Sequence, residues 1–98
     1  MNIYKVEQNW RNGYDTYSDF VCIAENEQSA RETHPSKHIT HSRDGNWYGT
    51  DSKGEEFLEE DDDCWVRFKD IVRLKVTLIG VANADQEKGV VCASFHAG

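Results

Sequence analysis

Between positions 71 and 81 the apolar residues Val72, Leu74, Val76 and Leu78 alternate with Arg73, Lys75 and Thr77. This is the period-two pattern of a strand that turns one face to a core and the other to water. A second β-rich run, 90–96, follows the polar segment 83–89, and the succession predicts an antiparallel hairpin. The N-terminal part predicts another antiparallel pair, 3–7 with 20–24, joined by the polar loop 8–19. After Ala24 the β-branched residues give way to helix formers. Asn26 is the predicted N-cap, Glu27 suits the positive end of the helix dipole, and Pro35 discourages continuation by restricting His34 and withdrawing a donor. With Ala30 as its only aliphatic residue, this helix should be short and lie close against the sheet.

The middle of the chain, 36–63, is polar and less regular. Asn46, Trp47, Tyr48 and Gly49 follow an Asp44-Gly45 turn signal and predict a short edge strand. Ser52, Lys53, Gly54 and Glu55 have the spacing of a capping box, which would start a helix through the residues beyond. Closely spaced carboxylates repel at helical i,i+4 positions, so an irregular acidic loop is the alternative. The expected fold class is α+β: one small domain, 1–98, with a mainly antiparallel sheet of about four strands, one principal helix after the second strand, and the sheet covered on one face. A chain of 98 residues closes one hydrophobic core and has no surplus for a second.

Charge changes the picture at one place. Glu55, Glu56, Glu59, Glu60, Asp61, Asp62 and Asp63 put seven carboxylates into nine consecutive residues, interrupted only by Phe57 and Leu58. The chain holds 18 Asp and Glu against 11 Lys and Arg, so this run equals the whole net charge of -7. The expected partner is a protein with a basic surface, with Phe57 and Leu58 as apolar anchors. Direct nucleic-acid binding is disfavoured because no basic stripe offsets phosphate charge.

With 38% hydrophobic residues the chain has no apolar stretch near the roughly 20 residues that a membrane-spanning helix needs. Residues 1–7 read as a mature strand rather than a secretory signal. Cys22, Cys64 and Cys92 are odd in number and widely spaced, which suggests no disulfide framework and fits a reducing cytoplasm. Cys22 and Cys92, inside apolar alternations, read as small buried hydrophobes.

Three further sets carry candidate chemistry. Trp10, Arg11, Tyr14, Asp15 and Tyr17, with Trp47 and Tyr48 as a second wall, combine stacking faces with a guanidinium fork and suit a nucleotide-like ligand. The plainer reading makes these rings a cover for the end of the core. His34, His38 and His41 have a spacing of interest for zinc, but Pro35 interrupts the helix and no further ligand completes the set, so three solvated histidines are expected. The acidic run lacks the loop pattern of a calcium cage. No catalytic motif is complete, so no cofactor or enzymatic chemistry is expected.

Tyr14-Asp15-Thr16-Tyr17, then Phe20-Val21-Cys22-Ile23-Ala24-Glu25 with Ala30-Arg31 and His34-Pro35, and the ending Gly89-Val90-Val91-Cys92-Ala93-Ser94-Phe95-His96-Ala97-Gly98 resemble short accessory proteins of tailed bacteriophages and prophages. The resemblance covers both ends and not the acidic middle, and its motifs carry no established chemistry. It implies an accessory protein of the bacterial cytoplasm that occupies a host protein's surface or sequesters a ligand. The leading expectation is a counter-defence inhibitor acting through the acidic patch. The alternative is a small-molecule sponge for a nucleotide-like signal, possibly closed by a second subunit as a homo-oligomer.

Overall fold

The computed structural model describes residues 1–8, 16–59 and 64–96, and has an α+β architecture built from two antiparallel sheets. Strands β1 (Asn2–Glu7) and β2 (Thr16–Ala24) lead into helix α1 (Glu27–Arg31). Strands β3 (Ile39–Arg43), β4 (Asn46–Thr50) and β5 (Glu56–Glu59) form the second sheet. A 3₁₀ helix (Phe68–Arg73) then precedes β6 (Lys75–Val81) and β7 (Gly89–His96). Among the described residues no helix is long and apolar enough to cross a membrane.

The predicted N-terminal pair is present, with Tyr4 opposite Cys22 and Val6 opposite Phe20. Opposed residues share a face, so these four project into the core, where all are buried. Asn26 caps α1 as expected, its Oδ1 accepting from the Ser29 N–H at 2.8 Å. Ala30 is fully buried, which lets this one-turn helix sit close to the sheet.

The predicted hairpin between β6 and β7 does not form. The four-stranded order is β6-β1-β2-β7, with β6 paired to β1 and β7 to β2. The connection 82–88 therefore passes the ends of two strands, about 14 Å at the usual strand spacing, a span that seven residues cover easily. The arrangement follows burial. Strands β1 and β2 carry the large core residues and take the centre, whereas β6 and β7 expose Leu78, Ile79, Val81, Val91 and Phe95 and take the edges.

The expected strand 71–81 begins only at Lys75. Before it, Phe68, Ile71 and Leu74 recur every three residues, the period of a 3₁₀ helix, and Ile71 and Leu74 are buried. Val72 is 76% exposed and Leu78 is 59% exposed, so the alternating set predicted as core is split between core and solvent. Arg31 holds this turn in place by donating from Nη1 to the carbonyl oxygens of Ile71 at 3.0 Å and Leu74 at 2.6 Å.

One core joins both sheets. Trp47 from β4 is 1% exposed, donates from Nε1 to the Val66 carbonyl at 2.9 Å, and meets Phe68 edge-on at 5.1 Å. Phe20 meets Trp65 similarly at 5.2 Å. His34 is buried rather than solvated as expected, with its ring edge-on to Trp47 at 5.1 Å and its Nδ1 accepting from the Ser36 N–H at 3.0 Å. Cys22 is buried, but Cys92, expected in the core, is exposed on edge strand β7.

Candidate binding surface

The acidic run begins on the edge strand of the three-stranded sheet, ordered β3-β4-β5. Two turns build it. Asp44 and Gly45, both at positive φ (52° and 77°), close the β3–β4 hairpin in the way the Asp-Gly signal predicts. Strand β4 nevertheless lies in the centre of its sheet, not at the predicted edge. The second turn replaces the expected helix start: Asp51, not Ser52, organises it. Asp51 Oδ1 accepts from the N–H groups of Lys53 and Glu55, each at 2.9 Å, and Gly54 at φ +83° completes the reversal.

From Glu56 to Glu59 the acidic run is thus neither helix nor irregular loop but strand β5, with Phe57 opposite Gly49 and Leu58 opposite Tyr48. A strand sends successive side chains to opposite faces, which relieves the repulsion a helix would impose. Phe57 turns inward and is half-buried over Gly49, where the absence of a β-carbon leaves room for its ring. Leu58 turns outward and is 41% exposed. Only one of the two expected anchors therefore faces solvent. Glu55 is exposed, and Glu59 is half-buried beside a cavity of about 200 Å³ whose lining includes Arg67 and Lys69. Glu60, Asp61, Asp62 and Asp63 lie outside the described residues.

Glu56 is already engaged. Its carboxylate lies 2.7 Å from His41 Nε2 and 2.9 Å from Arg43 Nη2. The hydrogen bond from His41, then that from Arg43, holds the Glu56 carboxyl below its ordinary range, and Glu56 in turn raises Arg43 above its own. The Arg43 guanidinium sits 4.5 Å from the Tyr48 ring centre and the His41 ring stacks on Tyr48 at 5.6 Å and 11°. Sequence patterning missed this cluster because its members come from three strands. The alternation of His41 and Arg43 before the Asp44-Gly45 turn was the available signal.

The alternative ligand set is not assembled as expected from its described members. Trp47 and Tyr48 are neighbours on β4 and face opposite sides, so they do not form one wall. Tyr17 is half-buried and packs against Phe95 with ring centres 4.8 Å apart. Trp10, Arg11, Tyr14 and Asp15 lie outside the described residues. Among the described residues no group of three His, Cys, Asp or Glu is placed to hold a metal ion. The chain matches no protein-family model, no curated protein and no solved structure.

Proposed function

We propose that this domain is a non-enzymatic binding module that docks a basic surface of another protein through β5 and the acidic residues that continue from it. The observation that carries this reading is the passage of the acidic run along β5, the last strand of its sheet among the described residues, with Leu58 exposed on it and Glu55 exposed just before it. The charge supplies attraction and orientation, and Leu58 supplies an apolar contact that salt does not screen. Glu56 contributes less than its charge suggests, because Arg43 already pairs with it and His41 hydrogen-bonds it. Carboxylates on an edge strand also discourage indiscriminate strand pairing, and so favour a side-chain interface over strand addition.

The setting proposed is the bacterial cytoplasm, as the resemblance of both chain ends to phage accessory proteins would imply, with a nucleic-acid-binding defence protein as target and inhibition as the outcome. Affinity capture from bacterial lysate at low and high salt tests the reading, using the natural chain and a variant with Glu59, Glu60, Asp61 and Asp62 changed to their amides. A stoichiometric basic protein should be retained at low salt, released as salt rises, and lost in the variant. Retention of the same partner by the variant at unchanged affinity would remove the acidic surface from the mechanism.

A further inference from the structure

A cleft of about 850 Å³ opens on another part of the molecule, between the segment after α1, strand β3 and the start of β7. Its side walls come from elements distant in sequence, so no local motif announces it. The lining is about half polar, and its apolar part includes the partly exposed Ile39 and Val90 above the buried Trp47 and Pro35. The fixed wall is His34, held edge-on by Trp47 and by the Ser36 N–H.

The charge of this cleft runs against that of the chain. Lys37 and Lys88 line it from separate elements, and among the described residues Glu32 is the one carboxylate in the lining. Among the described residues neither lysine has an ion-pair partner. His41 also lines the cleft, but its ring nitrogens are occupied by Glu56 and by the Thr40 hydroxyl at 2.8 Å. The ammonium groups of Lys37 and Lys88 are thus the uncommitted cations, and Ser29 and Ser42 add hydroxyls at the same walls. Two point charges suit a phosphate group, and the volume falls within the range of about 300–1,000 Å³ typical of small-molecule sites. That is far more room than one inorganic ion needs.

We infer that this cleft binds a phosphate-bearing small molecule of nucleotide size, its phosphate between Lys37 and Lys88 and its less polar body against Pro35, Ile39 and Val90. The site is separate from the acidic edge and does not depend on the function proposed above. Of the described members of the aromatic set expected from the sequence, it shares Trp47 and not Tyr17 or Tyr48.

The test is a ¹H–¹⁵N NMR titration of the full chain with each of the four common ribonucleoside monophosphates, the corresponding nucleosides, and inorganic phosphate. At least one nucleotide should shift the amides of Lys37, Ile39 and Lys88 to Val90. Its nucleoside and inorganic phosphate should each bind about ten-fold more weakly or worse. The double variant Lys37→Gln/Lys88→Gln, whose changes lie at exposed positions, should keep the parent's spectrum and lose about ten-fold in affinity. The inference is overturned if no nucleotide perturbs these amides up to about 10 mM, a concentration ten-fold above a 1 mM dissociation constant. Equal binding of nucleoside and nucleotide, equal binding of phosphate alone, or an unchanged affinity in the folded double variant would each overturn it as well.

Discussion

Replacing Gly49 with alanine tests whether β5 is seated as described. The backbone at Gly49 is not among the positive-φ glycines, so alanine adopts it without strain and any loss must be steric. A β-carbon there would run into the carbonyl oxygen of His38 and the ring edge of Phe57, both well inside contact distance. The carbonyl belongs to backbone next to β3 and cannot swing aside, whereas Phe57 can move only by leaving its half-buried position. Overpacking of this kind costs about 1–3 kcal/mol, and the reduced freedom of the unfolded chain returns about 0.4–1 kcal/mol. The difference spans about 0–2.6 kcal/mol, and because the β-carbon would meet two groups at once the loss should fall in the upper half, above about 1.3 kcal/mol, read by urea unfolding against Thr50→Ala, an exposed neighbour expected to change stability by less than about 0.5 kcal/mol. Adding Phe57→Ala to Gly49→Ala should cost less than Phe57→Ala costs in the natural chain, because the two groups contest one space. If Gly49→Ala were as stable as the parent, Phe57 would not lie over β4, and the acidic residues would not start from a sheet edge.

Leu74→Ala should cost about 2–5 kcal/mol and Val72→Ala less than about 0.5 kcal/mol in the same unfolding assay; equal losses would restore the uninterrupted strand alternation. Burial pushes the Cys22 thiol up to about 11 from an ordinary 9.0, with Lys88 opposing, so in mildly alkaline buffer mass spectrometry should find a thiol reagent on Cys92 well before Cys22. Because Cys22 keeps its proton in the folded state while the unfolded chain loses it, its contribution to stability is whole below pH 9.0 and falls as pH rises towards about 11; a Cys22→Ala variant with the same alkaline decline would refute this. The Glu56 carboxyl is lowered by His41 and Arg43, so its contribution is present above the ordinary carboxylate range and lost as pH falls through its lowered value. NMR signals of the Tyr48 ring should report that loss, and their persistence in Glu56→Gln would assign it to another group.

What could be read from the chain was local. Asn26, Ala30 and Pro35 specify a short helix through capping, size and backbone restriction, and the structure has that helix. Asp44-Gly45 specifies a tight hairpin because its backbone must adopt positive φ twice. Pairing between strands was harder to read. Polar residues 83–89 look like a hairpin turn, yet a connection of that length also allows a crossing, and the choice rests on which strands bury the larger side chains. At 68–74 two periods overlap: Leu74 belongs both to the alternation with Val72 and Val76 and to the three-residue spacing with Ile71 and Phe68. The second spacing prevails because Phe68 finds Trp47 and Arg31 satisfies the turn's carbonyl groups. The acidic strand was hidden for a related reason, since Gly49 makes room for Phe57 only once the hairpin has formed.

The opposite charges of the two candidate surfaces make them separable by experiment. One contact spans the sheet between them: His41 on β3 lines the cleft and also binds Glu56 on β5, which carries part of the acidic run. At physiological ionic strength exposed charges are screened over about 8 Å, and among the described residues no carboxylate of the acidic run lines the cleft. Neutralising Glu59, Glu60, Asp61 and Asp62 should therefore leave nucleotide affinity within about two-fold, below the ten-fold step that 1.4 kcal/mol represents. Conversely, Lys37→Gln/Lys88→Gln should leave capture of a basic protein unchanged. A crossed result, with the acidic variant losing the nucleotide or the lysine variant losing the protein partner, would mean that the surfaces are coupled, through either the His41–Glu56 contact or overall charge. Repeating both measurements in Glu56→Gln then decides the matter, because coupling carried by that contact must disappear with it, whereas coupling carried by overall charge must remain.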